Sequence, residues 1–132
     1  MTAKEINTIV VAGAGTMGSS MAQIFAKHGS EVILYDVAEA ALERGRNLVR
    51  VNQESQVASG DLTARESEEI ISRLRYTMDK NCFAQCDLVV ESILENLEIK
   101  QNFWEEVSGI ARPDCLLCTN TYVSDQSEDD GV

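Results

Sequence analysis

The run Thr8-Ile9-Val10-Val11-Ala12-Gly13-Ala14-Gly15-Thr16-Met17-Gly18 decides how this chain is read. Residues 6–12, Ile-Asn-Thr-Ile-Val-Val-Ala, are a short β-branched run closed by glycine, the composition of a strand covered on both faces. From Thr16 the period changes. Met17, Met21, Ile24, Phe25 and His28 fall on one helical stripe, and Gly29 follows as a stop. Residues 31–36, Glu-Val-Ile-Leu-Tyr-Asp, return to strand character. Strand, glycine turn, helix and strand within about thirty residues is the length of a βαβ unit.

The turn itself has the spacing G-x-G-x-x-G, placed directly after a strand and at the start of a helix. In that setting each glycine has a task. Gly13 takes a tight turn, Gly15 leaves room for a pyrophosphate, and Gly18 lets helix and sheet approach. Thr16 and Met17 complete the candidate phosphate turn, where backbone N–H groups and the helix dipole face an anion. Asp36 ends the second strand, 18 residues beyond Gly18. There a carboxylate accepts hydrogen bonds from the adenosine ribose and repels a 2′-phosphate. Residues 37–42 contain no Lys or Arg to hold such a phosphate, so the expected cofactor is NAD and not NADP. The alternative is an ordinary glycine turn with Asp36 as a strand-end cap.

Working outward, residues 38–74 read as a polar helical hairpin. Ala41, Leu42, Gly45, Leu48, Val49 and Asn52 make one face of its first helix. Thr63 and Glu66 have capping-box spacing for the second, which carries Ile70, Ile71 and Leu74. Residues 75–79 are a weak third strand, and Leu88-Val89-Val90-Glu91 is a stronger fourth. Ile99, Phe103, Val107 and Ile110 fit a further helix ended by Pro113, and residues 115–119 are a fifth apolar strand. This alternation predicts an α/β fold: a doubly wound, Rossmann-like parallel sheet with an inserted helical hairpin, incomplete at the C-terminus. The expected organisation is one domain over residues 1–121 and an acidic, disordered tail over 122–132.

The 132 residues carry 11 Lys plus Arg against 22 Asp plus Glu, a formal charge of −11. So acidic a chain argues against nucleic-acid or membrane-surface partners. Residues 6–26 contain no charged side chain, but the glycines and polar residues within them argue against a membrane span, and Lys4-Glu5 makes a poor signal start. The expected location is cytoplasmic. Cys115 and Cys118 have C-x-x-C spacing inside an apolar run, where strand geometry points them to opposite faces. No metal site and four reduced thiols are expected.

From residue 6 to residue 121 the sequence resembles the NAD-binding domain of the 3-hydroxyacyl-CoA dehydrogenase family, which includes 3-hydroxybutyryl-CoA dehydrogenases. The resemblance rests on Gly-Ala-Gly-Thr-Met-Gly at 13–18, Ala22-Gln23-Ile24-Phe25 and Asp36. It continues through Ala41-Leu42-Glu43-Arg44 and Asp61-Leu62-Thr63. Its most particular pieces are Asp87-Leu88-Val89-Val90-Glu91-Ser92 and Glu95-Asn96-Leu97-Glu98-Ile99-Lys100. It implies hydride transfer between NAD and the 3-hydroxyl of an acyl-CoA thioester. By motif position, Glu95 and Lys100 are similar to residues at the nicotinamide end, with Ser92 and Asn120 counted among the cofactor contacts. A surface ion pair is the alternative for Glu95 and Lys100. Arg44, Arg46 and Arg50 sit where the hairpin meets CoA phosphates in such a reading, or else form a solvated helix face.

Two departures stand out. The family's Ser-Asn-Thr-Ser-Ser-Leu segment reads Thr119-Asn120-Thr121-Tyr122-Val123-Ser124 here, which puts Tyr122 where a contacting serine is expected. The family's catalytic histidine has no counterpart, since His28 is the only histidine and ends the first helix. The helical C-terminal domain is also absent from these 132 residues. The expectation is therefore a chain with no catalytic residue of its own, which binds NAD, turns over little alone and needs the absent domain to engage an acyl-CoA substrate. It is further expected to self-associate as a homo-oligomer. The alternative function is a non-catalytic dinucleotide-binding or interaction module acting with a partner chain.

Overall fold

The computed structural model describes residues 6–92 and 97–119. In chain order the elements are β1 (Thr8–Ala12), α1 (Thr16–Lys27), β2 (Glu31–Tyr35), α2 (Glu39–Ala58), α3 (Ala64–Ser72), β3 (Leu74–Thr77), a 3-10 turn (Lys80–Ala84), β4 (Leu88–Glu91), α4 (Leu97–Ile110) and β5 (Leu116–Thr119). The five strands form one sheet in the order β3-β2-β1-β4-β5, parallel at every pairing. β1 is central, with Val10 in register with Ile33 of β2 on one side and Val89 of β4 on the other.

Alternation along β1 feeds two cores. Ile9 and Val11 point to the side of α1, α2 and α3, where they pack with Ala22, Leu34, Leu42, Val49 and Ile70. Val10 and Ala12 point to the other side, with Phe83, Val89 and Val107. A strand buried on both faces reads as a continuous apolar run, which is why residues 9–12 lack polar alternation. On the second side an aromatic ladder joins the layers. Tyr35 meets Phe83 at 4.9 Å, Phe83 meets Phe103 at 5.7 Å, and Phe103 meets Trp104 at 4.9 Å, all edge-on.

The second hairpin helix, α3, starts as its sequence directs. Thr63 Oγ1 accepts from the Glu66 amide at 3.0 Å, and Glu66 Oε1 accepts from the Thr63 amide at 2.8 Å, the reciprocal capping box. At the amino-terminal edge of the sheet, Asp87 ties three elements. Its Oδ2 accepts from the amides of Asn7 and Thr8, and its Oδ1 accepts from Arg112, just past α4. These bonds hold its carboxyl down at about 2.

Two expectations are corrected. The third strand spans Leu74–Thr77 and not residues 75–79, so Leu74 opens that strand instead of lying on the second hairpin helix, where Ile71 is exposed. The buried face of α1 is Gly18, Ser19, Ala22, Gln23 and Ala26, whereas Met17 and Ile24 of the apolar stripe are 60% and 56% exposed and His28 is also exposed. The helix lies so close to the sheet that only small side chains, or polar ones with internal partners, fit beneath it. Among the described residues, no helix is long and apolar enough to cross a membrane.

Candidate dinucleotide site

The strand order reverses at β1, so the carboxyl ends of β1 and β4 flank a crevice, the usual ligand position in open α/β sheets. The 13–18 turn lies there. Gly13 takes φ +109°, a conformation that L side chains rarely adopt, and its amide donates to the Tyr35 carbonyl at 2.7 Å. A Cβ at Gly18 would stand 1.9 Å from the Gly13 carbonyl oxygen. Both glycines are thus demanded by the protein's own atoms.

Gly15 is different. It is the N-cap of α1 with φ −75° and ψ −165°, a backbone any residue adopts, and no atom lies within 4 Å of the position its Cβ would take. No side chain caps the helix there. Gly15, Thr16 and Met17 are all exposed. The turn therefore presents bare backbone and uncapped first-turn N–H groups to an open cradle, the donor set that suits a pyrophosphate.

Asp36 stands beside this turn at the end of β2. Its Oδ2 accepts from the Ala14 amide at 3.0 Å and its Oδ1 from the Ala38 amide at 3.2 Å. Each carboxylate oxygen keeps a further lone pair for a ribose hydroxyl. Val37, following β2, and Met78, following β3, are 73% and 48% exposed apolar side chains at the carboxyl ends of adjacent strands. Sequence reading passed over both. The available signal was an apolar residue immediately after a strand end, where a polar turn is the norm.

At the end of β4, Glu91 is wholly buried and accepts from Thr119 Oγ1 of β5 at 2.5 Å. The half-buried Ser92 follows it, its amide donating to the Ala12 carbonyl at 2.7 Å, so β4 continues alongside the phosphate turn. Lys100, in the first turn of α4, is only 7% exposed. Glu95, Asn120 and Tyr122 lie outside the described residues.

The structure brings Gly13, Gly15, Thr16, Met17, Gly18, Asp36 and Ser92 to one edge of the sheet. His28 caps the far end of α1, at the opposite edge, with Nδ1 2.9 Å from the Ile24 carbonyl. Two of the hairpin arginines make surface contacts. Arg46 lies 4.2 Å over the Tyr76 ring and 3.9 Å from Glu43, and Arg50 pairs with Glu54 at 3.6 Å. Among the described residues, no group of three or more His, Cys, Asp or Glu side chains is arranged to hold a metal ion.

This fold and this turn define a dinucleotide-binding domain of the Rossmann type. The family model described as "3-hydroxyacyl-CoA dehydrogenase, NAD binding domain" matches residues 8–128. The chain is 37% identical over 116 residues to the 3-hydroxyadipyl-CoA dehydrogenase of Escherichia coli K12, covering 88% of this chain and 24% of that protein. It is 34% identical over 117 residues to a Mycobacterium tuberculosis 3-hydroxybutyryl-CoA dehydrogenase, 41% of which it covers. The crystal structure of M. tuberculosis FadB2 superposes with a TM-score of 0.87 at 34% identity, over 89% of this chain and 42% of that one. The chain belongs to the 3-hydroxyacyl-CoA dehydrogenase family, as its NAD-binding domain. It spans about a quarter to two-fifths of the length of these relatives.

Proposed function

We propose that the domain serves an NAD-dependent oxidation of a 3-hydroxyacyl-CoA, holding the dinucleotide along the carboxyl edge of the sheet. The pyrophosphate lies over Gly15 and the amides of Thr16, Met17 and Gly18. Asp36 accepts the adenosine ribose hydroxyls, and Val37 and Met78 flank the adenine. Ser92, Glu95, Lys100 and Asn120 are assigned to the nicotinamide end by their motif positions. When bound, NAD supplies a two-electron hydride acceptor. The chain's own residues orient it and select it: Asp36 repels a 2′-phosphate, and the α1 dipole offsets the pyrophosphate charge despite the net −11 of the protein.

One observation carries this reading. Gly15 is a glycine that nothing in the protein's own geometry requires. Its bareness makes sense as room for a ligand that touches backbone.

Alcohol oxidation also needs a base for the hydroxyl proton, and imidazole suits neutral pH. His28 is on the wrong edge for that task, which supports NAD binding with little turnover by these 132 residues alone. Activity gained on adding a separate C-terminal domain of a relative distinguishes this from a non-catalytic module. The acyl-CoA partner, a cytoplasmic location and self-association through the exposed β5 edge belong to the same proposal. Calorimetric titration of NAD and NADP tests its core. Wild type should prefer NAD, and Asp36→Ala should lose about tenfold in NAD affinity, near the 1.4 kcal/mol of one charge-assisted bond. NAD binding that is insensitive to Asp36 removes the account of cofactor choice.

A further inference from the structure

A buried chain of polar side chains crosses from the helical hairpin to the phosphate turn. Ser67 Oγ on α3 donates to Gln53 Oε1 on α2 at 2.8 Å. Gln53 Nε2 donates to Gln23 Oε1 on α1 at 2.7 Å. Gln23 Nε2 donates to the Ser19 carbonyl at 3.1 Å, and Ser19 Oγ donates to the Ala14 carbonyl, inside the turn, at 3.2 Å. All four side chains are buried, from 0% exposed at Ser19 to 6% at Gln23 and Ser67.

The chain has one direction. Turning the Gln53 amide over would set two acceptor oxygens, those of Gln53 and Gln23, against each other. The hairpin backbone also abuts the turn directly: a Cβ at Gly45 would stand 2.8 Å from the Ala14 carbonyl oxygen and 3.1 Å from Ser19 Oγ. Ala14 is thereby held by both its polar backbone atoms, its carbonyl by Ser19 and its amide by Asp36, with no room between it and α2 for a side chain at Gly45. Apolar side chains would fill the same space. What they would not supply is a single register between hairpin and α1, which a fully satisfied directional network does.

We propose that Gln53 and Ser67 are positioning residues for cofactor binding: through Gln23 and Ser19 the hairpin presets the peptide at Ala14 and so the pyrophosphate-binding shape of the turn. This rests on the dinucleotide reading above. Because coupling between sites is reciprocal, a ligand on the turn must in return stabilise the hairpin.

Two measurements on the whole chain test it. The first compares ADP, which reaches the turn, with adenosine, which engages Asp36 but not the turn. Gln53→Met, which removes the hydrogen bonds to both Ser67 and Gln23, should weaken ADP about fivefold to tenfold and adenosine less than twofold. Ser67→Thr, which keeps the hydroxyl, should bind as wild type. The second is hydrogen exchange over α3. NAD should slow it in wild type, and that protection should vanish in Gln53→Met at saturating NAD. Should Gln53→Met fail to fold, Ser67→Ala carries the same comparison.

Equal losses for ADP and adenosine, or a folded Gln53→Met with wild-type ADP affinity, overturn the positioning role while leaving NAD binding intact. Wild type that binds neither NAD nor ADP overturns both readings, and the two failures are told apart in the unmutated protein.

Discussion

Two glycines three positions apart, Gly15 and Gly18, should respond to a side chain in opposite ways. At Gly18 an added methyl carbon would lie 1.9 Å from the Gly13 carbonyl oxygen, where real contacts stay above 3.0 Å, so the turn or α1 must move by at least 1.1 Å (3.0 − 1.9). Backbone is the obstacle, and backbone between two buried elements does not swing aside. Overpacking of this kind costs about 1–3 kcal/mol and occasionally more, against a gain of nearly 1 kcal/mol in helix propensity. Gly18→Ala should therefore lose a net of about 1–2 kcal/mol, a fall of roughly 5 °C in Tm for a domain of this size. At Gly15 the backbone is ordinary and the space empty, so Gly15→Ser meets nothing and gains a better N-cap. Its stability should stay level or rise by about 0.5 kcal/mol. Its NAD affinity should nevertheless fall tenfold or more, since the new side chain fills the cradle and competes for the same amides. Thermal unfolding and calorimetric titration on both variants give the four numbers. Gly15→Ser binding NAD as tightly as wild type, or Gly18→Ala matching wild-type stability, would falsify the division of labour.

Asp87 makes stability depend on acid. Its carboxyl titrates at about 2 in the folded chain, below an ordinary value of 3.8, so its contribution is complete above pH 4 and disappears as pH falls through 2. Urea unfolding should show Asp87→Asn weaker than wild type by on the order of 1–2 kcal/mol at pH 6, with the gap closing near pH 2; a gap unchanged between those pH values refutes the assignment. Burial pushes the thiols of Cys82 and Cys86 up to about 12, Asp79 assisting at the first and Cys115, 3.8 Å away in Sγ–Sγ contact, at the second. At pH 8, alkylation followed by peptide mass spectrometry should mark the exposed Cys118 well before either of them, and equal labelling rates in the native chain would contradict their burial. Among the described residues β5 is one of the two edge strands, and its four residues are exposed, with Leu116 and Leu117 at 48% and 43%. Exposed edges of this kind pair, so sedimentation should reveal self-association that rises with concentration, and a clean monomer at high concentration counts against it.

The parts of the fold that depend on local rules were readable from residues alone. The β-branched run at 9–12, the positive-φ glycine at 13 and the Thr63–Glu66 cap each state their structure within a few positions. What escaped is what depends on partners distant in sequence. Hydrophobic periodicity assigned α1 an inward stripe of Met17, Ile24 and His28, yet its buried face is made of Ser19, Ala22, Gln23 and Ala26. The reason is close packing on the sheet, together with a polar interior satisfied from 30 residues away by Gln53, a pairing no window on one helix detects. The site shows the same split. Gly13, Gly15, Gly18 and Asp36 announce themselves by spacing, whereas Val37 and Met78 acquire meaning once β2 and β3 are known to end side by side.

The central position of β1 has a consequence for biosynthesis. Its hydrogen-bonding neighbours are β2, just downstream, and β4, which reaches Ala12 through Glu91, 79 positions later. A ribosome adds about 5–20 residues per second, so the phosphate turn waits several seconds for the strand that completes its support. Until then one edge of a mostly apolar strand stays open to the wrong partner.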